Sequence, residues 1–228
     1  MKISIVIPAY NEEAYLEKCL ISLANQLEKP YEIIVVDNNS TDKTVEIAKK
    51  FGARVLKETK QGIVPARNTG YNKAKGDIIA RTDADTRVQP DWTKRIRENF
   101  EKDPELLGLS GSAHYYDFPD LLQYKNWIIP GASNFVKFFM KHDGMFGFNL
   151  ALRRKTWEAI KEEVCSDDDK IHEDTDLAIH IAKYGKVFMD KSILVETSLR
   201  QIKRKNIYLD YFVLKSFRTV NPRRHLHD

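Results

Sequence analysis

Residues 76–87 read GDIIARTDADTR. Three apolar residues, Ile78 to Ala80, run straight into two carboxylates one residue apart, Asp83 and Asp85. A short run with no polar face is the pattern of a strand buried on both sides. Two acids at its end repel, and each disfavours ionisation of the other. In extended backbone, side chains two positions apart point the same way. Both carboxylates can therefore face one cation. Hard oxygen donors suit Mg2+ or Mn2+ rather than a soft metal, and such ions are held by a few carboxylates plus substrate phosphates. The competing reading is a solvated loop with helix-capping aspartates, and the pair alone does not decide between the two.

Outward from this strand, the first two thirds of the chain alternate. Strands are predicted at 3–8, 31–37, 53–58, 77–82 and 106–116, and helices at 12–26, 41–52, 63–75 and from Pro90 to about Lys102. Leu16, Cys19, Leu20, Leu23 and Leu27 fall at helical spacing. Pro at a first turn and Gly52 and Gly76 at helix ends agree with these limits. Strand–helix alternation with short links means an α/β domain with a mostly parallel sheet. Ligands of such sheets bind beyond the carboxyl ends of the strands. Asn11 and Glu12, Asp37, and Asp83 with Asp85 follow three of those ends.

The second part is less regular. Residues 146–154 read as a strand, 172–185 as a helix, KVFMD and ILVETS as short strands, and the tail from about 203 as a helix. Residues 115–148 hold ten of the 24 aromatic residues, which suits either an acceptor wall or a packed subdomain. No repeat or Pro/Ser-rich linker divides the chain.

Bulk properties exclude more than they assign. The chain has 228 residues, 42% hydrophobic and 31% charged, with net charge +4, too slight to argue for nucleic acid. Two cysteines and no secretory leader read as reduced thiols in a cytoplasmic protein, and no segment reaches the length of a membrane span. The six histidines are scattered, which argues against a zinc site. G-x-S-x-G, Walker A and G-x-G-x-x-G are absent. Asp37 in VVDNNSTDKT suits a turn or a ribose ligand. In HEDTDL, acids at 173, 174 and 176 exceed what a helix cap requires, so one is a candidate general base. The tail from Arg200 carries eight Lys/Arg against two Asp among apolar residues, which suits a helix packed on the domain or lying on an anionic membrane face.

Six stretches, SIVIPAYNEE, EIIVVDNNSTDKT, KQGIVPARNTG, DIIARTDADTRVQPDW, GFNLALRR and HEDTDL, together resemble the family 2 glycosyltransferases. The resemblance runs from residue 3 to about 200. It implies the GT-A fold as one catalytic domain: 1–115 for the nucleotide sugar, 116–200 for acceptor and catalysis, and 201–228 as a basic tail. Pro8, Ala9, Asn11 and Glu12 would line the nucleotide pocket, with Asp37 on base or ribose. Lys60, Gly62, Arg67 and Asn68 would shape the wall beside it. Asp83, Ala84 and Asp85 would form the D-x-D motif, Asp85 the firmer metal ligand for Mn2+ or Mg2+. Gly147 and Asn149 would frame donor sugar and acceptor, and Asp174 would be the base, with Glu173 beside it.

The implied activity is metal-dependent, inverting transfer of one sugar from a UDP- or GDP-sugar to a glycan or lipid-linked hydroxyl. Peripheral contact with the inner face of a membrane through the tail would accompany it. The chain departs from relatives in two places. The processive Q-x-x-R-W becomes Gln201-Ile202-Lys203-Arg204-Lys205, which implies single transfer. Where many relatives place a metal-binding His, this chain has Ser198-Leu199-Arg200, so Arg200 or Arg204 would help hold the diphosphate. The rivals are a sugar-1-phosphate nucleotidyltransferase, whose N-terminal Gly-rich loop is missing from PAYNEEAYLEK, and a binding or membrane-docking module without catalysis.

Overall fold

The computed structural model describes residues 1–117, 144–166 and 172–200. The predicted tail helix, most of the aromatic segment and Asp167–Asp169 lie outside the described residues. The chain opens with β1 (Ile3–Ala9), α1 (Leu16–Ala24), β2 (Glu32–Asp37), α2 (Thr44–Lys50), β3 (Arg54–Lys57), α3 (Ile63–Lys73) and β4 (Ile78–Arg81). Then come β5 (Arg87–Val88), α4 (Trp92–Lys102) and β6 (Leu106–Tyr115). The last described elements are β7 (Leu150–Arg153), α5 (Arg154–Ile160), α6 (Glu173–Ala182) and β8 (Lys186–Thr197).

The eight strands form one sheet in the order β3-β2-β1-β4-β7-β6-β8-β5. β1 to β4 are parallel, with Ala9 opposite Asp37 and Ile3 opposite Ile78. β6 and β8 share that direction, while β7 and β5 run against it. β6 ends at the carboxyl rim and β7 begins there, so β7 must run back down the sheet.

Alternation along β1 sends Ile5 and Ile7 to one face and Val6 to the other. The first face packs Leu16, Cys19, Leu20 and Leu23 of α1 and Trp92, Ile96 and Phe100 of α4. The second packs Tyr71 of α3, Trp157 and Ile160 of α5, and Leu177 and Ile181 of α6. α3 lies so close to the sheet that a β-carbon on Gly70 would sit 2.3 Å from Val6 Cγ1.

Some expectations are corrected. Leu27 is not core: α1 ends at Ala24, and Leu27 is 69% exposed. The stretch at 146–154 begins with a 3-10 turn, Gly147–Asn149, and is extended only from Leu150. KVFMD and ILVETS are one strand, β8. It breaks register where Gly111 opposes Asp190 and Ser112 opposes Leu194. A β-bulge of this kind interrupts the apolar pattern without ending the strand.

Candidate active site

The topology brings the carboxyl ends of β1, β2 and β4 side by side, and the loops after them are stitched together. The Asn11 side-chain oxygen accepts from the Thr41 backbone N–H at 2.8 Å, and the Thr44 hydroxyl accepts from the Glu12 N–H at 2.7 Å. Asn11 itself has φ 54°, a left-handed conformation that Asn tolerates. Pro8 and Ala9 are buried in β1. The Asp37 carboxylate accepts from the Ser40 N–H at 3.0 Å, so it makes the turn its sequence suggested.

Asn38, which the sequence marks only as a turn residue, is the bolt of the neighbouring loop. Its amide donates to the carbonyls of Glu58 (3.0 Å) and Lys60 (2.7 Å), and its oxygen accepts from the Gly62 N–H at 2.8 Å. Gly62, at φ 142°, turns the chain into α3 there. Lys60 is exposed on this loop.

After β4, Asp83 sits partly exposed while Ala84 and Asp85 are buried. Arg200 closes the space above them. Its Nε donates to Asp85 Oδ2 at 2.6 Å, and its Nη2 donates to both Glu12 carboxylate oxygens at 2.5 and 2.6 Å. The guanidinium lies 4.2 Å from the centre of the Tyr15 ring, a cation–π contact. Thr197 ends β8 and donates to Asp85 Oδ1 at 3.4 Å. Burial, reinforced by the neighbouring charge of Asp85, pushes the Asp83 carboxyl up to about 6. Burial likewise raises Glu12, against the pull of Arg200.

The second half of the site is built around Arg81, the last residue of β4. It is 3% exposed. Its Nη1 lies 2.7 Å from Glu173 Oε1 and 3.2 Å from Asp174 Oδ1, and its Nη2 lies 3.3 Å from Asp83 Oδ1. Glu173 and Asp174 stand in the first turn of α6, which runs back from the rim. The Gly147 N–H donates to Asp174 Oδ2 at 2.8 Å. Burial and then the charge of Glu173 lift Asp174 to about 7. Glu173 is partly buried, which alone would raise it, but Arg81 and Arg67 hold it below the usual range. Two adjacent carboxylates are thus driven apart, the arrangement that sorts acid and base roles in an active site.

Some expected site residues sit behind this surface. Arg67 is fully buried and donates from Nη1 to Glu173 Oε2 at 3.1 Å, with Asn68 accepting from its Nε at 3.0 Å. The polar atoms of Asn149 are engaged inward. Its oxygen accepts from Trp92 Nε1 at 2.9 Å, and its amide donates to the Ser112 and Ile193 carbonyls, each at 2.9 Å. Sequence reasoning missed Arg81, although an arginine closing an apolar strand in line with Asp83 was a usable signal.

Two carboxylates of a D-x-D, with Glu12 adjacent, fit a hard divalent cation. Burial raises Asp83 and Glu12, and the nearby charge of Asp85 adds to both shifts; a bound cation would favour their ionised forms. Among the described residues no three His, Cys, Asp or Glu side chains are arranged to hold an ion alone. Further ligands would come from a bound diphosphate and water.

The family model described as glycosyl transferase family 2 matches residues 4–160. A Methanococcus voltae relative, a dolichyl N-acetyl-α-D-glucosaminyl phosphate 3-β-D-2,3-diacetamido-2,3-dideoxy-β-D-glucuronosyltransferase, is 28% identical over 90% of this chain and 69% of its own. Other curated relatives are longer: the match spans 17%, 33% and 35% of three of them. The mannosyltransferase PcManGT of Pyrobaculum calidifontis, solved with GDP-Man and Mn2+, superposes with TM-score 0.74 at 20% identity, covering 95% of this chain and 63% of that one. Glucosyl-3-phosphoglycerate synthase of Mycobacterium tuberculosis, solved with Mn2+, UDP and glucosyl-3-phosphoglycerate, gives 0.71 at 18% identity, covering all of this chain and 81% of that one. The fold is the GT-A fold of these glycosyltransferases.

Proposed function

The chain belongs to glycosyl transferase family 2, and on that premise we propose that it draws on a nucleotide sugar and moves one sugar to an acceptor hydroxyl with inversion, Asp174 serving as general base. One observation carries the reading. A carboxylate lifted toward neutrality, Asp174, stands across a single guanidinium from the D-x-D acid Asp83. Donor-binding and proton-accepting groups are thereby set side by side.

Asp83 and Asp85 would hold Mn2+ or Mg2+, as the Mn2+ in the two structural neighbours suggests. When bound, such an ion supplies Lewis-acid stabilisation of the departing diphosphate. Arg200, bonded to Glu12 and Asp85, would lend its charge to the diphosphate. Asn11, Glu12 and Asp37 line the base and ribose pocket, while Lys60 and Gly62 wall it. Asp174 accepts the proton of the attacking hydroxyl, and its ionised form dominates above about pH 7. A single displacement then needs no covalent intermediate, and chain growth stops at one sugar. The chain works as one catalytic unit. Its acceptor is a glycan or lipid-linked hydroxyl, the class that the Methanococcus voltae relative's name contains.

The experiment is Asp174→Asn. Turnover of the nucleotide sugar should fall at least a thousandfold, within the range that general-base loss covers, about 10²–10⁴. Nucleotide affinity should stay unchanged. A variant with near-normal turnover would remove Asp174 from the role.

A further inference from the structure

We propose that Arg81 is a positioning residue of the transfer reaction, fixing the spacing between the donor-side carboxylate Asp83 and the acceptor-side carboxylate Asp174. The proposal rests on the reading of Asp174 as base given above.

An arginine at the end of Ile78-Ile79-Ala80 is a costly choice, because a buried charge must be paired and hydrogen-bonded. Here one guanidinium faces three acids from two elements far apart in sequence. Nη1 takes Glu173 and Asp174, and Nη2 takes Asp83. The fork is planar and rigid, so these distances are set by one group of fixed shape. Among the described residues, no other side chain bonds both Asp83 and the first turn of α6.

Two further features point the same way. A β-carbon on Gly147 would lie 2.6 Å from Arg81 Cζ and Nη2, so the glycine makes room for the guanidinium. The same residue's N–H fixes the second oxygen of Asp174. Arg81 Nε, with the hydroxyl of Tyr71, is one of two buried side-chain atoms without a hydrogen-bond partner among the described residues. Among the described residues the guanidinium is therefore held from its Nη side alone, by the acids it spaces. The arm to Asp83 is the longest and reaches the most exposed of the three carboxylates.

Neutralisation alone would be met by any cation. Spacing would not, because an ammonium is a point charge. Arg81→Lys therefore separates the two roles. The test uses the full chain, with UDP or GDP plus Mn2+ for calorimetric binding. Turnover is read as nucleoside diphosphate released from the matching nucleoside-diphosphate glucose or mannose.

We expect Arg81→Lys to keep Mn2+–nucleotide affinity and donor KM within about threefold while kcat falls about a hundredfold, the scale of a 1 Å misplacement. The acid limb of its pH–rate profile should move. Gly147→Ala keeps the arginine but displaces it, and should show the same split. That second variant decides the matter if Arg81→Lys fails to fold. A kcat within threefold of wild type in the folded variant would overturn the proposal. So would an equal fall in affinity and kcat with a lower melting temperature, the mark of a merely structural role. Asp174→Asn is run alongside. If it is inactive and Arg81→Lys is active, only this proposal fails. If it turns over normally, the base assignment fails first and this proposal with it.

Discussion

Replacing Arg200 with methionine removes the one guanidinium that joins Glu12 to Asp85 while keeping most of its apolar stem. Three charge-assisted contacts disappear, and two carboxylates, 13% and 5% exposed, are left facing each other. An ion pair with charge centres 4 Å apart is worth roughly 4 kcal/mol at an effective dielectric of about 20. Desolvation of the guanidinium offsets part of this. Breaking one side of a buried pair costs about 3–5 kcal/mol. Arg200 keeps 23% of its side chain in water, which lowers the expectation to about 2–4 kcal/mol. For a chain of this size each kcal/mol shifts the melting temperature by about 2–4 °C, so Arg200→Met should melt about 4–16 °C lower. The assay is calorimetry near neutral pH, with and without millimolar Mn2+. A cation bound a hundredfold above its Kd restores about 2.7 kcal/mol. It should help the variant more than wild type, because the variant has lost its own countercharge. A drop under about 2 °C, or equal Mn2+ effects on both proteins, would refute the electrostatic account of this rim.

Other consequences are open to measurement. Asp174 is raised from the ordinary 3.8 to about 7, so turnover should climb as pH rises through about 7 and level off above it, a limb read from kcat against pH. The linked stability has the opposite sense. The folded protein keeps a proton that the unfolded chain releases, so this contribution is present below about pH 4 and lost as pH rises to about 7. Asp174→Asn should flatten that part of a melting-temperature profile. Asn38→Ala, which deletes the bolt between Glu58, Lys60 and Gly62, should cost about 2–3 kcal/mol in urea unfolding. Gly70→Ala should cost about 1–3 kcal/mol by pushing α3 off Val6, with the nucleotide site intact.

The sequence carried the frame of this site well, for identifiable reasons. ISIVIP, EIIVVD and DIIA are apolar on both faces, which marks strands between helices, and their polar terminators fall on one rim in the structure. What it hid was two-residue β5, too short for any periodicity, and α5, whose Thr156, Trp157 and Ile160 follow β7 without a break. Leu27 matched the helical spacing of α1 yet lies beyond its end. Inside the site, composition could point to Asp83, Asp85 and HEDTDL, because acids in excess of capping need a partner. It could not show that Arg81 is that partner for both groups, since the pairing joins residues ninety-three apart. Nor could it show that Arg67 and Asn149 lie behind the surface, because burial is set by packing and not by residue type.

On the proposed reading the acidic rim binds a nucleoside diphosphate through a divalent ion. The most direct measurement is calorimetric titration of UDP and of GDP into wild type and Asp85→Ala, each with Mn2+ and with chelator. One nucleotide should bind wild type only when Mn2+ is present, and Asp85→Ala should abolish this binding without unfolding. Equal binding with chelator, or binding undiminished in Asp85→Ala, would contradict the claim.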